Sequence, residues 1–94
     1  MRIVGLPQLE NFKKKYADAR GPLDAWRKEV ACAVWHTTHD IKERYPSADF
    51  LSGNRVIFNI KGNTYRLVVK IRYQGGMVLI EWVGTHSEYN KKKF

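Results

Sequence analysis

The chain has 94 residues and sets 17 Lys and Arg against 9 Asp and Glu, a formal net charge of +8. A chain of this length is expected to form one domain, residues 1–94, with a single core that buries roughly 60–65% of the unfolded surface. With 44% hydrophobic and 28% charged residues, its composition excludes a disordered tail and predicts a folded, basic domain. The lone Cys32 has no intrachain partner, which fits a reducing compartment. No stretch approaches the roughly 20 apolar residues that span a bilayer, and the first residues lack the apolar run of a signal peptide. A cytoplasmic protein with no membrane partner is therefore expected.

In chain order, Arg2 to Leu6 is a short apolar run closed by Pro7, predicting a brief strand followed by a helix. From Pro7 to Arg20, Leu9, Phe12, Tyr16 and Ala17 recur at helical spacing, and Gly21 is expected to stop that helix. A second helix is predicted from the apolar face Leu23, Trp26, Val30, Ala33 and Val34, ending near Trp35 or His36. The Gly21-Pro22 joint makes the pair a helical hairpin. Thr37 to Asn54 reads as a connecting segment with at most a helical turn over Asp40 to Tyr45.

From Arg55 the period changes to two and β-branched and aromatic residues take over. The dipeptides Gly62-Asn63 and Gly75-Gly76 then mark the turns of a three-stranded antiparallel meander. The fold class is α+β. Two-residue turns would set Asn59 opposite Arg66, Lys70 opposite Glu81 and Arg66 opposite Thr85. One sheet face would then carry Val56, Phe58, Ile60, Tyr65, Leu67, Val69, Ile71, Tyr73, Val78, Ile80 and Trp82, and the helices must cover it. The other face would hold Arg55, Asn59, Lys61, Thr64, Arg66, Lys70, Arg72 and Glu81, interrupted by Ile57, Val68, Met77, Leu79 and Val83. The charge is biased accordingly, because residues 55–94 contain eight basic and two acidic side chains.

On that basic face Arg66, His86 and Tyr89 combine a phosphate-neutralising cation, an imidazole and a phenol, a set sufficient for metal-free RNA cleavage. The plainer account is a solvated outer face, with Lys70 and Glu81 as a surface ion pair worth roughly 0–1 kcal/mol. Arg66 and Arg72 face no carboxylate and so are free for a ligand. His36 and His39 have no acidic or sulfur ligand placed to complete a metal site, and no metal or other cofactor is expected. Cys32 reads as a small core or boundary residue. The closing Lys91-Lys92-Lys93 run is a solvated tail or an added phosphate contact.

Val56 to Val68 (V-I-F-N-I-K-G-N-T-Y-R-L-V) and Val83 to Tyr89 (V-G-T-H-S-E-Y) closely resemble the HigB toxin family of the RelE/ParE superfamily. The likeness extends over nearly the whole chain, including Trp35 and the Tyr45-Pro46-Ser47-Ala48-Asp49 segment. It implies a RelE-like fold, with a helical hairpin on one face of a small antiparallel sheet and a basic opposite face. It further implies a type II toxin that cleaves mRNA in the ribosomal A site. A HigA-type helix-turn-helix antitoxin would neutralise it, and operator DNA would be met only through that antitoxin. By this resemblance Arg66 is the arginine at the scissile phosphate, and His86 and Tyr89 form the C-terminal catalytic block. His86 stands where RelE has arginine, so the acid and base roles stay open between His86 and Tyr89. Arg55, Asn59, Lys61, Lys70 and Arg72 would bind RNA. Two other readings are a ParE-like inhibitor of DNA gyrase and a non-catalytic nucleic-acid-binding module using Tyr65, Tyr73 or Trp82; the predicted register, which buries these aromatics, speaks against the second.

Overall fold

The computed structural model describes residues 1–92 and 94, so the last lysine of the Lys91 to Lys93 run lies outside the described residues. The elements in order are β1 (Arg2–Val4), α1 (Leu6–Lys15), a 3-10 turn (Ala17–Ala19), α2 (Arg20–Cys32), α3 (Thr38–Arg44), β2 (Asp49–Leu51), β3 (Arg55–Ile60), β4 (Tyr65–Arg72), β5 (Met77–Thr85) and α4 (His86–Lys91). The α+β class holds, but the sheet has five strands in the order β1-β5-β4-β3-β2, and β1 runs parallel to β5. The predicted meander is its centre, and two three-residue edge strands, too short to show a period, extend it.

Gly21 does not stop a helix. Chain direction changes earlier, at Tyr16, whose N–H still reaches Phe12 O while its ψ leaves the helical region. Gly21 and Pro22 then occupy the first turn of α2, where the missing Pro22 N–H leaves no hydrogen bond unmade. At the other end, Ala33 is extended, so Val34 projects into solvent, 71% exposed, while Trp35 returns to the core. In the connecting segment, the short α3 is capped by the reciprocal pair Thr37 and Asp40.

The core lies between the helices and one sheet face. Leu9, Phe12, Leu23, Trp26 and Val30 meet Phe58, Leu67, Val69, Val78 and Ile80 there. Lys13, 6% exposed, ties α1 to α2 through Glu10 and Asp24. Burial acts to lower its pKa, but the hydrogen bonds and charges of Asp24 and Glu10 outweigh that and leave it raised. Ile57 and Val68 are also buried, yet they lie on the opposite face, outside this core.

The first hairpin has the predicted register, with Asn59 opposite Arg66. The second does not. Arg72 pairs with Met77, so Tyr73 to Gly76 form a longer turn, and an irregularity between Val68 and Val69 leaves Glu81 as an extra, exposed residue on β5. Lys70 therefore pairs with Leu79 rather than Glu81, and Arg66 with Gly84 rather than Thr85. One inserted residue reverses the side-chain alternation beyond it. Trp82, expected in the core, pairs with Val68 on the outer face, and Val83 turns inward to pack against the core.

Five carboxylates titrate below their usual range. Asp18 is held by hydrogen bonds from Lys61 and Tyr65, Asp24 by Lys13, Glu29 by Tyr45 and Arg44, and Asp40 and Glu88 by backbone N–H groups. Depressed folded values stabilise the fold above the unfolded values near ~4, and that contribution is lost as pH falls through the folded ones. Three phenols act in the opposite sense, among them Tyr73, raised by burial. The Asp18 hydrogen bond pushes Tyr65 up to about 12, and burial followed by the Glu29 hydrogen bond raises Tyr45. Their contribution is complete below roughly pH 10 and fades as pH rises through the raised values. Urea midpoints should therefore form a plateau near neutrality and fall on both sides, and a midpoint that holds constant from pH 5 to pH 2 would contradict this.

Candidate active site

The site forms where β4, β5 and α4 meet. Tyr65 pairs with Thr85 at the end of the sheet, and Thr85 there becomes the N-cap of α4. Thr85 Oγ1 accepts from Glu88 N at 3.1 Å, and Glu88 Oε1 accepts from Thr85 N at 2.9 Å. This box fixes the first turn of α4 and with it His86 and Tyr89, three residues apart and so on one side of the helix. Thr85-x-x-Glu88 is itself a helix-start signature legible in the sequence.

Arg66 follows Tyr65 directly at the start of β4. Its Nη2 lies 3.0 Å from His86 Nε2, and its guanidinium carbon lies 4.7 Å from the centroid of the Tyr89 ring. The three residues named from sequence thus form one constellation. A guanidinium has no acceptor, so it donates, and His86 Nε2 must carry its lone pair toward Arg66. The ring proton of neutral His86 then sits on Nδ1, which is 3.2 Å from the Asn90 side-chain amide. That pairing requires Asn90 to present Oδ1 to Nδ1–H, so we assign its amide in that orientation. Asn90, absent from the sequence reading, is the orienting partner of the imidazole. Asn90→Ala should slow any reaction that uses His86, by less than the ~10²–10⁴-fold that loss of an acid–base group costs. Cleavage kinetics beside those of His86→Ala check this.

Arg66 Nε and Asn59 Oδ1 are buried and have no hydrogen-bond partner among the described residues. They belong to directly facing residues, one a donor and one an acceptor. Asn59 cannot turn its amide over without loss, because its Nδ2 donates to Ser47 O at 3.2 Å. Unmade buried hydrogen bonds cost stability, so this facing donor and acceptor are groups that a bridging water or a bound polar ligand would satisfy.

The other sequence candidates divide. Arg55 lies across from Lys70, with its Nε donating to Ser52 O at 3.0 Å. Lys70 and Arg72 are exposed further along β4, roughly 13 and 20 Å from Arg66 at the usual strand rise, beside a shallow depression lined by Asn54, Gln74 and Leu79. Lys61 is not gathered with Arg66. It turns to the helical layer and pairs with Asp18 at 2.6 Å. Trp82 joins the site face through the bulge, its ring 6.1 Å from that of Tyr89.

A small sheet on which one cation touches both an imidazole and a phenol, closed by a short helix, brings together side chains of the kinds that hold a phosphate and move a proton. The chain belongs to the HigB toxin family, the RelE-like toxic component of a toxin–antitoxin system, whose pattern residues 19–92 match. Membership implies an antitoxin as partner. The chain is similar to the "mRNA interferase toxin HigB" of Escherichia coli (strain K12) and to the "mRNA interferase HigB" of Escherichia coli O157:H7 and of Shigella flexneri. Each is 25% identical over 92 residues, covering 96% of this chain and 88% of the relative. No helix among the described residues is long and apolar enough to cross a membrane.

Proposed function

We propose that this chain is a ribosome-dependent mRNA interferase that works without a metal ion. The observation that carries the reading is the contact of Arg66 with both His86 and Tyr89, and the mRNA interferase activity in the relatives' names agrees with it. In the reaction the 2′-hydroxyl of one nucleotide attacks its own 3′-phosphate. The O2′–P bond forms, the P–O5′ bond breaks, and a 2′,3′-cyclic phosphate and a 5′-hydroxyl result. One proton must leave O2′ and one must reach O5′.

Arg66 supplies charge to the phosphorane oxygens, the part a metal plays in other nucleases. When the guanidinium turns to the phosphate, His86 Nε2 is released with its lone pair free to take a proton, and Nδ1 remains anchored by Asn90. Tyr89, beneath the same guanidinium, is the second proton-transfer or positioning group. Asn59, Arg55, Lys70 and Arg72 bind the RNA along a basic strip. Lys61, already neutralised by Asp18, is the weakest member of the RNA-binding set. The same strip suits an acidic segment of a HigA-type antitoxin, and operator DNA is met only through that antitoxin.

The test is incubation of the protein with ribosomes programmed with a defined mRNA, with mapping of the new 5′ ends, and a parallel incubation with naked mRNA. Cuts confined to A-site codons of the programmed ribosomes support the reading. A toxic chain that leaves the mRNA intact would sink it and direct attention to gyrase-dependent DNA breaks.

A further inference from the structure

Trp82 reaches the outer face only because Glu81 is an extra residue in β5. Its indole packs against the strand at Gly84, where an added Cβ would come within 2.4 Å of two of its ring carbons, so only glycine at that position leaves space for the ring. Gly84 also lies directly opposite Arg66, and the indole is 6.1 Å from the Tyr89 ring that the Arg66 guanidinium covers. The outward side of the ring is capped by Lys92, whose Nζ is 5.7 Å from the centroid, and by the edge contact of Phe94 at 5.7 Å. Phe94 itself stacks on Tyr89 at 5.4 Å with planes 13° apart, although it remains 37% exposed. Aromatic rings packed on a sheet face, partly exposed and close to cations are the chemistry that receives a base and its phosphate.

We infer that Trp82 is the stacking platform for a nucleobase beside the reacting phosphate, and that Phe94 occupies that base's place in the free protein. The inference rests on the RNA-cleaving reading for its ligand but not on cleavage for its test. Trp26 and Trp35 are 3% and 5% exposed in the core, so a change in emission on ligand binding reports on Trp82.

The probe is a 2′-O-methyl RNA hexamer, which cannot be cleaved, compared with an abasic sugar–phosphate hexamer of equal charge. The RNA hexamer should quench Trp82 and bind about tenfold tighter than the abasic one, the ratio that ~1.4 kcal/mol of base stacking produces. Gly84→Ala and Trp82→Ala should remove most of that ratio. Phe94→Ala, a change at an exposed position that leaves the core intact, should raise affinity for the RNA hexamer severalfold and leave the abasic one unchanged. Equal binding of the two hexamers with unaltered emission overturns the inference, as does a Phe94→Ala variant that binds RNA more weakly. Quenching by an acidic peptide and not by RNA overturns it in favour of a protein-docking surface. Base-dependent quenching without ribosomal cleavage leaves the platform standing and removes the interferase reading. Normal cleavage without quenching does the reverse.

Discussion

Arg66→Ala should lower the rate of mRNA cleavage on the ribosome by about 10²–10³-fold, the loss seen when one group aimed at a developing oxyanion is removed. Ribosome binding should change far less, because the remaining cations on the strand still meet the backbone. Two features make Arg66 more than one positive charge among several. Its Nη2 is engaged with His86 while its guanidinium lies over Tyr89, so the group is held by one N–H and by its face together. Its buried Nε meets no acceptor among the described residues. Lysine offers neither a planar face nor a fork, so Arg66→Lys should restore little of the activity although it restores the charge. Single-turnover cleavage and co-sedimentation with ribosomes, measured on the same variants, separate the two effects. Equal losses in both would reduce Arg66 to a docking cation.

His86 should show an effect of comparable size. His86→Gln keeps a polar atom near Arg66 but cannot exchange a proton, and it should cost about 10²–10⁴-fold in cleavage rate. The pH–rate profile should lose one limb in this variant, and Tyr89→Phe should affect the other if the phenol is the second proton-transfer group. Cleavage within about twofold of the unaltered protein for His86→Gln would remove the imidazole from the chemistry and leave Tyr89 with it. Comparison with Asn90→Ala is informative, since a residue acting through His86 should lower the rate without removing the limb.

The position of the site was legible because local signals agreed on it. The first hairpin's alternation, from Val56 to Val69, placed Asn59 opposite Arg66, and one turn in correct register suffices to set that pair. The α+β class followed from the change of period at Arg55. The helix boundary at Tyr16 was not legible, since Gly21 is a better local stop signal, and what ends α1 is a 3-10 turn carrying the buried Ala19. The brief first strand was expected, but its place in the sheet was not, and β2 was read as part of the connecting segment. Three residues of Arg2–Val4 pair with Met77 to Leu79, more than seventy positions away in the chain, and nothing within either segment announces the partner.

Residue types and local spacing alone therefore determined the core stripe of the helices, the central hairpin, the cationic strand and the chemical character of Arg66, His86 and Tyr89. Tertiary structure decided what surrounds them. Where α4 lies relative to β4 turns His86 and Tyr89 from a motif into contacts of Arg66. A longer second turn and the extra Glu81 change both the pairing of β5 and the face its last residues present. Side-chain alternation is a property of each strand, but register belongs to a pair of strands and is settled by how the whole sheet closes over its core. One residue of slip there is invisible in the pattern of apolar positions, and it is enough to move Trp82 from the interior to the site.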